Sequence, residues 1–258
     1  MSELPFLDGK LKTINNIEPD ENGNIQLTAE IPSFSVSGTT LIIGSTSLPK
    51  PLIAYAVYSA DDNSLSFYKT ADTITEGSNY RGKTATVVFP DIENKAFELN
   101  GNPIPYPIWT LYSGQFNLFM NSIIFVDKGI SPTSTASWFT NLRNCTNIIG
   151  LNKLDTSNVT DMSNMFAGLE ITSIDVSEWD TSTVTNMNGM FNYCTRLTSI
   201  GDISDWDTSN VTDMSNMFAY CSQLTAVDCS KWDVNKVTTH TDFKTSGVTG
   251  VIAPTWKN

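Results

Sequence analysis

Apolar residues in the C-terminal half of the chain recur on a fixed beat. Met-Phe pairs stand at Met165-Phe166, Met190-Phe191 and Met217-Phe218, and a fading fourth copy supplies Phe243. The Asp that opens the surrounding phrase moves with them, at Asp155, Asp180, Asp207 and Asp233, in steps of 25, 27 and 26 residues. The phrase DTSNVTDMSNMFA is identical at 155–167 and 207–219. A period of about 20 to 50 residues marks repeats that bury their apolar faces only against their neighbours.

Two local patterns share each period. Ile171, Ile174 and Val176, with Leu224, Val227 and Cys229 two copies later, follow the L-x-x-L-x-L spacing of a leucine-rich-repeat strand. Met214, Met217, Phe218 and Cys221 follow a spacing of three and four, which predicts a short helix with Asp213 as its N-cap. The expected fold class is therefore α+β: a leucine-rich-repeat-like solenoid, one strand plus one short helix per turn, over residues 136–258. SWFTNLRNCTNIIGL reads as a degenerate first turn with Phe139 in the Phe position. VTGVIAPTWKN reads as a last strand closed by Pro254, which cannot donate to a further ladder.

The region before the repeats is expected to be mostly β. AYAVYSADDNSLSFYK reads as two strands around an Asp-Asp-Asn turn, IPSFSVSGTTLIIGST alternates, and TATVVF, FELN, PIWTLY and SIIFVD are strand-like. Residues 48–135 are thus a β-rich connecting and capping domain. Residues 1–47 form an N-terminal arm in which Pro19-Asp20 and Asn22-Gly23 supply turn chemistry before the alternating NIQLTAEI.

The phrase W-D-T-S-N-V-T-D-M-S-N-M-F, followed by Cys and L-T-x-x-D, resembles the BspA-like bacterial surface-protein repeat of about 26 residues. With the segment that introduces those repeats, the likeness covers roughly residues 54–250. It implies surface adhesion or recognition without catalytic chemistry. INNIEPDENGNIQL, residues 14–27, resembles a segment of bacteriophage tail-fibre and baseplate-associated proteins. Together the two resemblances imply a virion protein that recognises a host surface: a tail-tip or tail-fibre protein on the extracellular virion tail. Its expected partners are other tail or baseplate proteins, through residues 1–47, and a host envelope glycan or surface protein. A homo-oligomer, trimer favoured, fits that role. The alternative is a bacterial cell-surface adhesin carrying the same repeats.

The start MSELPFLDGKLKTINN has no secretory pattern, and TLIIG and SIIFV are far shorter than a membrane helix, so no membrane insertion is expected. A net charge of −12 and the lack of Lys/Arg clusters argue against nucleic acid. No metal and no cofactor is expected: the acidic stretch from Asp155 to Asp180 reads as a solvated face with helix caps, the alternative being a calcium or cationic-ligand site, for which calcium-loop spacing is lacking. Cys194, Cys221 and Cys229 occupy repeat positions of core residues and read as small hydrophobes, although a Cys194–Cys221 bridge is conceivable across one turn. GSNYRGKT, residues 77–84, fits the phosphate-cradling G-x-x-x-x-G-K-[ST] but lacks the strand before and helix after. His240 is the single histidine, and no catalytic residues are assigned.

The expected receptor-binding residues are those between the apolar strand positions: Ser173, Asp175, Ser177, Ser199, Asp202, Ser204, Asp228 and Ser230. Trp179, Trp206 and Trp232 join them as a ladder that either plugs the interior or offers stacking faces to sugar rings.

Overall fold

The computed structural model describes residues 50–93, 107 and 119–257, together with the backbone of six short strands outside them. These are β1 (Phe6–Leu7), β2 (Lys10–Leu11), β3 (Phe34–Ser37) and β4 (Thr40–Ile43), then β10 (Glu98–Leu99) and β11 (Asn102–Pro103). The chain divides into two compact units, Met1–Pro51 and Leu52–Asn258. In the first, β1 pairs antiparallel with β2 and β3 with β4. The expected turn and strand of residues 14–31 and, after Pro107, the strand at PIWTLY lie outside the described residues.

In the second unit, β5 (Ile53–Ser59) and β6 (Ser64–Thr70) form the antiparallel hairpin that the Asp-Asp-Asn turn encodes. Asn63 takes the left-handed φ of 54° that closes it, a conformation Asn tolerates better than most residues. The phosphate-loop look-alike is itself a hairpin: β7 (Asn79–Tyr80) returns as β8 (Lys83–Thr84) through Arg81 and Gly82, both at positive φ. Lys83 there is half-buried and bonds Ser64 and Asp62. β9 (Val87–Pro90), β12 (Ser122–Phe125) and β13 (Asn147–Ile149) complete a five-stranded sheet of order β13-β12-β6-β5-β9. β6, β12 and β13 run parallel, so this sheet starts the direction in which the repeats continue.

The expected α+β solenoid with one strand and one helix per turn does not form. Apart from Phe119, the only helical element among the described residues is the 3-10 turn Leu151–Lys153. Within the repeats the only two-residue strands are β14 (Val227–Asp228) and β15 (Val251–Ile252), paired in parallel. The remaining copies meet through isolated parallel bridges, Ser134 to Asp161 to Asn186 to Asp213 to Thr239, and Ser173 to Ser199.

Hydrogen bonding explains why the three-and-four spacing misleads. In DMSNMFAGL the amides of Met165, Ala167 and Leu169 close local turns onto residues three back, whereas those of Met162, Asn164, Phe166 and Gly168 donate to the next copy at Asn186, Asn188, Met190 and Asn192. Asn164 (φ 53°) and Gly168 (φ 70°), four apart, reverse the backbone before any helix can propagate. A run of turns puts apolar residues on one side at helix-like spacing and still frees alternate amides for the neighbour.

What the copies bury is continuous. Phe139, Phe166, Phe191, Phe218 and Phe243 form one column with successive ring centroids 5.3–5.8 Å apart, which joins the sheet through Phe67 and Phe125. Met162, Met187 and Met214, with Met165, Met190 and Met217, lie beside it without solvent contact. On the outside, Thr160, Thr185, Thr212 and Thr238 each donate both amide and hydroxyl to the threonine carbonyl one copy back. All four cysteines are free and buried. The Cys194 and Cys221 thiols donate to the carbonyls of Phe166 and Phe191 at 3.1 and 2.9 Å, so the conceivable bridge is replaced by two separate bonds. Burial pushes the Cys145 thiol up to about 11.

Layer length is not constant. From Phe166 to Trp179, Phe191 to Trp206 and Phe218 to Trp232 the chain advances 13, 15 and 14 residues. Gly201 is the extra residue of the longest arc. Its φ of 81° makes room for Asp175 Oδ1, 2.3 Å from where a Cβ would stand.

Candidate recognition surface

Each copy carries D-x-S or a near variant several times, and the local chemistry is the same everywhere. Asp175 Oδ1 accepts from the Ser177 amide (3.1 Å) and hydroxyl (2.7 Å), Asp202 Oδ1 from the Ser204 amide (3.0 Å) and Asp228 Oδ1 from the Ser230 amide (2.9 Å). Asp180, Asp207 and Asp213 hold Ser182, Ser209 and Ser215 likewise. Asp213 thus caps, as its sequence position suggests, but it caps a turn rather than a helix.

The structure brings the polar strip together. Ser173, Asp175, Ser199, Asp202, Asp228 and Ser230 are exposed, and Ser177 and Ser204 half-buried, at one register of three successive copies. Two recesses interrupt it. One of ≈ 550 Å³ is bordered by Ser199, Gly201, Asp202, Ser204, Asp228 and Lys231. The other, ≈ 330 Å³, is bordered by Gly150, Asn152, Ile174, Asp175, Glu178 and Trp179.

The tryptophans stay inside. Trp179, Trp206 and Trp232 are 5–6 % exposed, so of the two placements their register allows, the interior one holds and they offer no stacking faces outward. The reason is paired packing and hydrogen bonding. Trp206 Nε1 donates to the Val176 carbonyl (3.1 Å), Trp232 Nε1 to the Ile203 carbonyl (2.9 Å), and their rings stack 6.0 Å apart. Trp179, in the first of the three layers, has no equivalent bond, and the chain one copy back turns at Gly150 into the 3-10 turn Leu151–Lys153. Its buried Nε1 meets no partner. Sequence reading missed this, and also missed Tyr193 and Tyr220, which recur at one position of successive copies and are exposed.

The strip is anionic down to low pH. Hydrogen bonds from the Ser177 hydroxyl and amide hold Asp175 below its ordinary 3.8, those from Ser204 do so for Asp202, and those from Ser230 for Asp228. A folded pKa below the unfolded one means that the folded state binds fewer protons between the two values. The stabilisation is complete above about pH 4 and disappears as pH falls through the depressed folded values. Urea unfolding midpoints at pH 7, 5 and 3 should therefore agree between 7 and 5 and drop at 3. A drop between 7 and 5 as large as that between 5 and 3 would show that these turns do not govern acid stability.

Among the described residues no cluster of three or more His, Cys, Asp or Glu is arranged to hold a metal ion, and no helix is long and apolar enough to cross a membrane. His240 stacks on Trp256 at 4.1 Å, at the last copy. No curated protein and no solved structure matches the chain. Residues 133–248, the repeat region, match the family described as "Mycoplasma protein of unknown function, DUF285", a match compatible with a BspA-like repeat and one that does not reach the N-terminal segment at 14–27.

Proposed function

We propose that this chain is a non-enzymatic recognition protein of a bacteriophage tail tip or fibre, attached through residues 1–47 to other tail or baseplate proteins and facing the host with its repeats. The observation that carries the reading is the strip. Hydrogen-bonding side chains stand exposed at one register of three copies, with their carboxylates held charged and their backbone committed to the stack. A rigid, periodic polar face of that kind suits a repetitive envelope glycan or a surface protein, and oligomerisation would multiply weak contacts into avidity. The resemblance of residues 14–27 to tail-fibre and baseplate segments supplies the virion end of the proposal. A second reading, a bacterial cell-surface adhesin, is favoured by the family match of residues 133–248, whose printed description is of a Mycoplasma protein of unknown function.

Replacing Ser173, Asp175, Asp202 and Asp228 together by Ala should weaken binding of the full-length protein to fractionated bacterial envelopes by about tenfold or more, with the unfolding midpoint at neutral pH monitored alongside. Undiminished binding by a folded variant removes the strip as the receptor face. Imaging of intact particles separates the two readings: residues 1–47 packed against another tail protein support the virion assignment, and protein found on cells free of phage supports the adhesin.

A further inference from the structure

A different register carries a second site. Four successive copies require a left-handed backbone at one position, filled by Asn141 (φ 57°), Gly168 (φ 70°), Tyr193 (φ 58°) and Tyr220 (φ 62°). Asn and Gly fit that conformation; a tyrosine there is an outlier that its side chain must justify. Core packing does not justify it, because Tyr193 and Tyr220 are 53 % and 47 % exposed. Their rings lie face to face, 4.2 Å apart and within 19° of parallel, as a short outer column beside the phenylalanine column.

That outer column stops one layer early. Where the next ring would stand the chain has Gly168, and the space is a groove of ≈ 490 Å³ with Tyr193 along one side. Asn141, Arg143, Glu170 and Asn192 border the same groove. Asn192 Oδ1, in a residue that borders the groove, is buried and meets no hydrogen-bond partner. An occupant must present a flat apolar face of about one ring to Tyr193. It must also present groups that both donate, to Glu170, and accept, from Arg143 and the Asn141 side-chain amide. Arg143 and Glu170 balance one another, and a chain of net charge −12 repels anions.

We infer that this groove is a binding site for a neutral sugar, with a pyranose ring stacked on Tyr193 in the layer that Gly168 leaves empty. The site shares no residue with the anionic strip, so it stands whether or not the strip binds a receptor.

Full-length protein would be titrated with maltose, cellobiose, lactose and chitobiose, followed by saturation-transfer NMR and calorimetry. At least one should bind and perturb the tyrosine rings. Tyr193→Ala removes the stacking face and should weaken that sugar about tenfold or more. Gly168→Tyr fills the slot in a conformation the next two copies already give to tyrosine, and the one tight contact of its Cβ is the end of the Asn141 side chain, Oδ1 at 2.7 Å. It should abolish binding, while Gln223→Ala, at an exposed position outside both the groove and the strip, should leave binding unchanged. If Gly168→Tyr does not fold, the surface change Tyr193→Ala alone decides. Failure of all four disaccharides to bind, binding unaltered by Tyr193→Ala, or preference for arginine amide over every sugar overturns the inference.

Discussion

Phe191→Ala is expected to lower the stability of the folded chain by ~3–5 kcal/mol, read as a fall in the urea unfolding midpoint. Phe191 has no solvent contact and stacks on Phe166 at 5.5 Å and on Phe218 at 5.5 Å, with interplanar angles of 9° and 4°. Removing the ring opens a void in the middle of the column. The walls cannot close on it, because the Phe191 amide is bonded to Met217 and its carbonyl accepts both the Cys194 amide and the Cys221 thiol. A cavity that cannot relax costs the most. Phe243→Ala, at the last layer where the neighbour on one side is Trp256, should cost less. An unchanged midpoint for Phe191→Ala would mean that the column is not the core.

The second large effect comes from adding a single methyl group. Gly250→Ala would put a Cβ 1.9 Å from the Leu224 carbonyl oxygen and 2.7 Å from Thr225 Cα, all backbone. No side chain can swing away, so β15 must separate from β14. That threatens the bonds from Val227 to Gly250 and from Cys229 to Ile252, both 2.9 Å. We expect a loss of about 3 kcal/mol, at the upper end of what overpacking costs. Gly247→Ala, where a Cβ meets nothing within 4 Å, is the matched control. Equal midpoints for the two variants would place the closing strand elsewhere.

The parts of the fold legible in the sequence are those fixed by what must be buried. The Met-Phe period located the column, and the equivalence of Cys194 and Cys221 placed both thiols inside as free core residues. The β5–β6 hairpin could be read because Asp-Asp-Asn between alternating segments has few other solutions. The helix was misread because apolar spacing reports which side is buried and not which amides bond where. The signal that would have corrected it was present, since Asn164 and Gly168 stand four apart in a segment too short to carry two helix breakers. The strip was legible because it alternates with apolar residues, and the Trp side was not, because an indole at a repeat position packs equally well in either direction until its N–H partner is known. The tyrosine groove depends on a residue missing from one copy, which a search for what recurs passes over.

The unequal arcs of 13, 15 and 14 residues between Phe and Trp have a consequence for how such a surface changes. Layers of one circumference would stack into a smooth wall. Here the mismatch falls wholly on the outer arc, where Gly201 and Ala226 border one recess and Glu170 and Thr195 another, while the Met-x-x-Met-Phe face keeps its register through the three copies that carry it. Insertion or deletion of one residue in that arc re-sculpts a recess without disturbing the bonds between layers. The molecule thereby separates inheritance from novelty: the inner face transmits the fold unchanged, and the outer circumference is free to try new shapes one residue at a time.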